Sequence, residues 1–188
     1  MQSGGDMLEV ATYLGKKLGE YKTVCPICGR GDFLIVEIEY EVPAFGLMLI
    51  VSKKCSACGY RRNDMVPLRV SRRTRIYLRV ENPGDYRVKI FRSPYARIII
   101  PELGLDLLPS IAAEMFVTNV EGILRMFLDA VERYEVLEGA SLTGLKEQLA
   151  RIIEHQSTPL TLVVDDSEGI SVCVPEPGSK PIIVVETV

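Results

Sequence analysis

The sequence predicts a mainly β chain with a helical insertion: a four-cysteine ribbon, then a compact β-sandwich or jelly-roll-like body carrying a helical hairpin. Three observations predict it. Cys25-Pro26-Ile27-Cys28-Gly29 recurs as Cys55-Ser56-Ala57-Cys58-Gly59, and the stretch between them alternates apolar and polar residues. Thr118-Asn119-Val120-Glu121 opens the clearest stretch of helical periodicity. Short β-rich runs broken by Pro and Gly lie on both sides of that stretch. With one helical connection available for a crossover, most strand pairs must be antiparallel.

The paired cysteines carry the strongest chemistry. Each C-x-x-C-G is a knuckle in which two thiolates converge and the glycine lets the backbone fold back. Cys25, Cys28, Cys55 and Cys58 supply the four sulfurs that Zn²⁺ takes in a closed tetrahedral site at roughly 2.3 Å per bond. No position is left for a substrate, so the one zinc expected here is structural. Two disulfides or four unrelated core cysteines are the alternatives. The doubled motif favours metal, although 26 residues separate Cys28 from Cys55 where roughly 15–20 is the commonest spacing.

In chain order, Leu8, Ala11, Leu14 and Leu18 predict an amphipathic helix over Asp6–Lys22, with a frayed terminus as the alternative. Leu34, Val36, Ile38, Tyr40 and Val42 face one side of a strand, and Glu37, Glu39 and Glu41 the other. Pro43-Ala44-Phe45-Gly46 turns the chain into a second strand, Leu47 to Val51, so a hairpin joins the knuckles. Phe45 either tucks over the ribbon core or is offered to a partner. Arg73, Arg75, Tyr77 and Arg79 alternate with Ile76, Leu78 and Val80 in a strand whose basic side is a solvated face or a docking surface. After a turn at Asn82–Asp85, Tyr86–Phe91 and Arg97–Ile100 read as strands, Leu103–Pro109 as irregular, and Ile111–Phe116 as strand. Thr118 and Glu121 form a capping box for a helix burying Val120, Ile123, Leu124, Phe127, Val131 and Tyr134. Gly139 stops it. A second helix follows at Leu142–His155. Leu160–Val164 and Ile170–Val174 make a hairpin about a turn at Asp165–Gly169, and Pro181–Val185 is the last strand. The expected organisation is a helical extension at 1–24, a four-cysteine zinc ribbon at 25–68, and a β domain at 69–188 with its hairpin at about 119–155.

Composition narrows the function. Net charge is −3, so the whole chain does not suit a polyanion. No apolar run is long enough to span a bilayer, and Met1–Gly5 lacks the basic start of a signal peptide. With four cysteines assigned to a metal and Cys173 left over, a reducing compartment, the cytoplasm, is expected. His155 is the single histidine; in a helix's last turn it complements the helix dipole. No G-x-S-x-G, phosphate loop or H-E-x-x-H occurs. Asp165-Asp166 could bind a cation but reads as a hairpin turn, and Cys173 reads as a small buried apolar residue. The chain is expected not to be an enzyme. Basic residues between Lys53 and Arg79 and acidic ones in the second half make a dipolar molecule suited to a protein partner. An RNA-binding ribbon of the translation apparatus is the alternative; Tyr60 and Tyr77 are thin support for base stacking.

Cys25–Gly29, Cys55–Asp64, Ile100-Pro101-Glu102-Leu103 and Thr118-Asn119-Val120-Glu121-Gly122 together resemble the ZPR-type zinc-finger proteins in their single-module, archaeal form. Arg87–Ser93 and Asp165–Gly169 add to the match, which spans about residues 25–188. The resemblance implies a zinc ribbon followed by a double-stranded β-helix domain with an inserted helical hairpin. It also implies a binding protein or chaperone for translation elongation factor 1-alpha, which eukaryotic members bind. They carry the module twice and this chain carries it once, so a clamp between two modules would need a dimer. Tyr60, Arg61, Asn63, Glu102 and Glu121 are the expected contacts.

Overall fold

In a computed structural model of the chain, residues 15–43, 46–69, 71–111 and 113–188 are described. The chain forms two compact units, residues 1–70 and 71–188.

The first unit is a four-stranded antiparallel sheet in the order of the chain: β1 (Lys16–Thr23), β2 (Phe33–Val42), β3 (Gly46–Cys55) and β4 (Arg61–Pro67). The predicted hairpin is β2–β3, in register from Phe33 opposite Cys55 to Val42 opposite Gly46. Val36, Ile38 and Ile50 cluster on its apolar face. Two outer strands extend it. Lys16–Thr23 is a strand rather than the predicted helix, since pairing satisfies the β2 backbone edge from Glu39 to Phe33. Leu18 is about half exposed there and seeds no helical face. The rest of that predicted helix, including Leu8, Ala11 and Leu14, lies outside the described residues, as does Phe45.

The second unit winds between two antiparallel sheets. After β5 (Thr74–Val80) come β6 (Lys89–Arg92), β7 (Ala96–Ile100), β8 (Leu105–Leu107) and β9 (Phe116–Asn119). Helices α1 (Val120–Glu138) and α2 (Thr143–His155) follow, then β10 (Leu160–Asp166), β11 (Val172–Val174) and β12 (Ile182–Thr187). The larger sheet is β12-β5-β10-β7-β8 and the smaller β11-β6-β9. The core joins Leu78, Ile98 and Leu162 of the larger sheet to Ile90 of the smaller, with Ile123, Leu124 and Phe127 of α1 and Leu149 and Ile152 of α2. This is the jelly-roll-like body with its helical hairpin.

Local departures from the sequence reading have physical causes. β10 and β11 follow one another without forming the predicted hairpin: β10 pairs with β5 and β7, and β11 with β6. Both edges of β10 are taken by long apolar strands, so β11 crosses to the other sheet. The start of α1 is capped by Asn119, whose Oδ1 accepts from the Gly122 N–H at 2.8 Å, in place of the expected Thr118. β9 runs on through Asn119, so the helix begins at Val120 and its cap falls one residue later than expected. Glu121 bonds Arg125 at 2.8 Å and the Gln156 amide at 3.2 Å instead of closing a capping box. Tyr134 is half exposed rather than core. Leu105–Leu107, expected to be irregular, pairs with β7, whereas Tyr86 precedes its strand and residues 113–115 belong to no strand.

The basic face of β5 is matched by carboxylates. Arg73 grips Asp165 with two bonds of 2.8 and 2.7 Å, and Arg75 reaches the same carboxylate at 3.1 Å. Arg79 contacts Glu81 and Glu102. The next residue, Asp166, is fully buried and accepts from the Glu168, Ile170 and Ser171 N–H groups and the Ser171 hydroxyl. Asp165-Asp166 therefore ends a central strand and anchors the following turn. Gly169 in that turn has φ +62°, and a Cβ there would strike the Arg72 carbonyl.

The Arg73 guanidinium holds the Asp165 carboxyl below the usual carboxylate range. Burial pushes Asp166 up, but the Ser171 hydroxyl and the surrounding N–H donors bring it below that range as well. A carboxylate lowered in the folded state stabilises fully above its unfolded pKa and loses that contribution as pH falls through the folded value. Urea midpoints for residues 71–188 are expected to hold down to about pH 4 and to fall below it. Asp166→Asn, which sets an amide among donors, is expected to cost about 2–4 kcal/mol at neutral pH.

Candidate metal centre

Strand register brings the four cysteines together. Phe33 at the start of β2 lies opposite Cys55 at the end of β3, so the loops β1–β2 and β3–β4 emerge at the same end of the sheet. Each loop is closed in the same way. The Cys25 N–H donates to the Arg30 carbonyl at 2.6 Å, and the Gly29 N–H returns to the Cys25 carbonyl at 2.8 Å. In the second knuckle, Cys55 N–H meets the Tyr60 carbonyl at 2.8 Å and Gly59 N–H the Cys55 carbonyl at 3.0 Å. Gly29 and Gly59 adopt φ of +69° and +76°, a backbone region that a side chain would strain. The Ser56 N–H ties the knuckles by donating to the Asp32 carbonyl at 3.3 Å.

All four sulfurs lie within 4.8 Å of one another. Cys25 Sγ is 3.9 Å from Cys58 Sγ, and Cys28 Sγ is 3.8 Å from Cys55 Sγ. A regular tetrahedron with Zn–S bonds of about 2.3 Å has edges of about 3.8 Å. Bonded sulfurs would be about 2.05 Å apart, so these pairs are not disulfides. The donor set fits one zinc ion held by Cys25, Cys28, Cys55 and Cys58. Cys25 and Cys55 are buried beside Phe33, with the Tyr60 ring 6.0 Å from that of Phe33, while Cys58 faces solvent.

The bare thiols cannot all ionise together. Burial pushes the Cys25 thiol up, but the Cys28 and Ile27 N–H groups and neighbouring thiols bring it down to about 7. A Tyr60 N–H favours the Cys58 thiolate, yet burial and the other three cysteines push it up to about 11. A divalent cation removes that conflict, so binding releases protons and is coupled to folding. With four sulfurs the site is closed and has no catalytic position.

The other residues singled out by the sequence fall into two groups. Tyr60 closes the second knuckle and supports Phe33, and Arg61 and Asn63 follow on the exposed part of β4. Glu102 and Glu121 belong to the other unit. Glu102 accepts from the Thr161 hydroxyl at 2.8 Å and from Arg79 at 3.3 Å, and Glu121 bonds Arg125 and Gln156. His155 ends α2 as expected. Cys173 lies in β11 against the core, and burial pushes its thiol up to about 12. Sequence reasoning missed Arg92, which is buried and donates twice to the Ala96 carbonyl while lying 5.3 Å from the Phe116 ring centre. It lies just beyond the strand expected at Tyr86–Phe91, and no local signal marked it. No helix among the described residues is long and apolar enough to cross a membrane.

Cys55→Ser replaces a buried ligand with a hydroxyl that Zn²⁺ does not ionise readily. Zinc content measured by atomic absorption is expected to fall from one equivalent to near zero. Hydrogen exchange is expected to show loss of protection in β1–β4 and retention in β5–β12. Full zinc content with unchanged protection of the ribbon would sink this prediction.

A family model for the ZPR1 jelly-roll domain matches residues 84–187. An uncharacterized ZPR1-like protein of Methanocaldococcus jannaschii is 33% identical over 170 residues, covering 87% of this chain and 85% of that protein. A second, from Pyrococcus horikoshii, is 32% identical over 161 residues, covering 81% of this chain and 72% of its own length. The zinc finger chaperone zpr1 of Schizosaccharomyces pombe is 30% identical over 161 residues; the match covers 78% of this chain and 34% of that longer protein. The jelly-roll match falls on the second unit, and the four-cysteine cluster agrees with the zinc-finger names of the relatives. The chain belongs to the ZPR1 family.

Proposed function

We propose that this chain is a non-enzymatic, zinc-dependent binding protein of chaperone type whose partner is translation elongation factor 1-alpha. The observation that carries the reading is a closed four-thiolate site in a chain similar to a zinc finger chaperone. Zinc there builds a surface rather than reacting. Elongation factor 1-alpha is the partner implied by the resemblance to ZPR-type proteins, and the cytoplasm is where the two would meet.

Tyr60, Arg61 and Asn63 on one unit and Glu102 and Glu121 on the other are the proposed contacts. Arg61 and Asn63 lie two residues apart on β4, so their side chains leave the same face. They follow the second knuckle directly, which makes their placement depend on zinc. The RNA-binding alternative loses support at β5, because Arg73, Arg75 and Arg79 are engaged by Asp165, Glu81 and Glu102.

The test is affinity capture with the zinc-loaded protein from cells that supply its natural partners, read by mass spectrometry with and without nuclease. Elongation factor 1-alpha is expected to remain after nuclease treatment. With purified components, Arg61→Glu and Glu102→Lys are each expected to weaken binding about tenfold without loss of zinc. Capture of ribosomal proteins that vanishes with nuclease, with no elongation factor, would overturn the proposal in favour of RNA.

A further inference from the structure

β12 is an edge strand. It pairs with β5 from Ile182 opposite Arg79 to Thr187 opposite Thr74, and no strand among the described residues lies on its other side. The Val188 N–H donates to the Arg73 carbonyl at 2.9 Å, continuing that register. Backbone groups of alternate residues bond a given neighbour in an antiparallel ladder. Ile182, Val184 and Glu186 therefore turn theirs toward β5, and the N–H and C=O groups of Ile183, Val185 and Thr187 point outward from the sheet. Apolar side chains flank this open edge on both faces: Ile182 and Val184 are 59% and 49% exposed on one, and Val185 60% on the other. Soluble proteins blunt such edges with charges, bulges or covering elements. From Ile182 to Val185 the strand has no charge.

The sequence of β12 specifies what fits this edge. Lys180 precedes the apolar run and Glu186 follows it. Lys180 stands before Pro181, a position biased toward extended backbone, so it can prolong the strand. Laid antiparallel about Ile183, a second copy sets Lys180 opposite Glu186 at both ends and Ile182 opposite Val184 between them. All four side chains fall on one face. The two Ile183 residues exchange a pair of N–H···O bonds, and the Val185 N–H meets the Pro181 carbonyl of the other copy. We infer that the chain forms a twofold dimer by antiparallel pairing of β12 with β12 of a second copy, which joins two five-stranded sheets into one continuous sheet. Edges this short cover less than the roughly 1,200 Å² of a standard interface, so the dimer dissociates on dilution.

Sedimentation equilibrium of the zinc-loaded protein is expected to show mass rising from monomer to dimer with concentration. Val185→Pro removes an outward N–H that β5 does not use and is expected to leave a folded monomer. A charge test serves even where proline disturbs the strand. Lys180→Glu and Glu186→Lys each place like charges opposite one another in a homodimer, and each alone is expected to associate about tenfold more weakly. Mixed together, the two variants regain both opposite-charge pairs, and native mass spectrometry is expected to show the mixed dimer in excess. Wild-type protein that stays monomeric up to its solubility limit would overturn the inference. So would a folded Val185→Pro protein, or charge variants, that dimerise as the wild type does.

Discussion

Four thiolates within 4.8 Å of one another repel, and only a cation at their centre lets them stay. The first unit depends on this. Its sheet buries two small clusters among the described residues, one around Val36, Ile38 and Ile50 and one around Cys25, Phe33 and Cys55. The second is the metal site itself with an aromatic lid. Cores of this size rarely hold a small domain without a metal or covalent staple. Zinc binding to short fingers is worth on the order of 10–16 kcal/mol, comparable with a domain's whole stability.

The second unit is stabilised differently. Its core runs continuously from the larger sheet through both helices to the smaller sheet. On the outer face of the larger sheet, charge is matched across strands: Glu186, Arg75, Asp165 and Arg97 stand opposite one another in turn, and Arg97 pairs with Asp106. Exposed pairs of this kind contribute little singly, but Asp165 is buried and receives two guanidinium groups. The arrangement turns a strand that is strongly basic in sequence into a neutral part of a sheet.

How legible each feature was depended on the range of the interaction behind it. The knuckles were readable because two ligands, a glycine and the loop closing them fall within six residues. The β2–β3 hairpin and both helices were readable because their periodicity is local. Asp165 looked like part of a turn because its partners Arg73 and Arg75 lie some 90 residues away, whereas Asp166, bonded to Glu168, Ile170 and Ser171, does anchor the turn that follows. The same distance hid the fate of β10: adjacency to Ile170–Val174 suggested a hairpin, whereas β5 and β7 offered longer apolar edges. Among the described residues near the N-terminus, the helical spacing that ended at Leu18 was outweighed by an open sheet edge, which Lys16–Thr23 fills. The cap was one residue off because Thr118 and Asn119 are both good cap formers, and the strand runs through both so that the helix begins only at Val120. Among the five expected contact residues, geometry explains Tyr60 as a support for Phe33 and Glu121 as a link between the helices. Arg61, Asn63 and Glu102 remain on the surface, where a partner can reach them.

One zinc ion organises the first unit, while the second folds on its own core. Hydrogen exchange of the metal-free, reduced protein titrated with Zn²⁺ tests this most directly. Exchange in β1–β4 is expected to be fast without metal and fully protected at one equivalent, with no change in β5–β12. Full protection of β2 and β3 before any metal is added would contradict it.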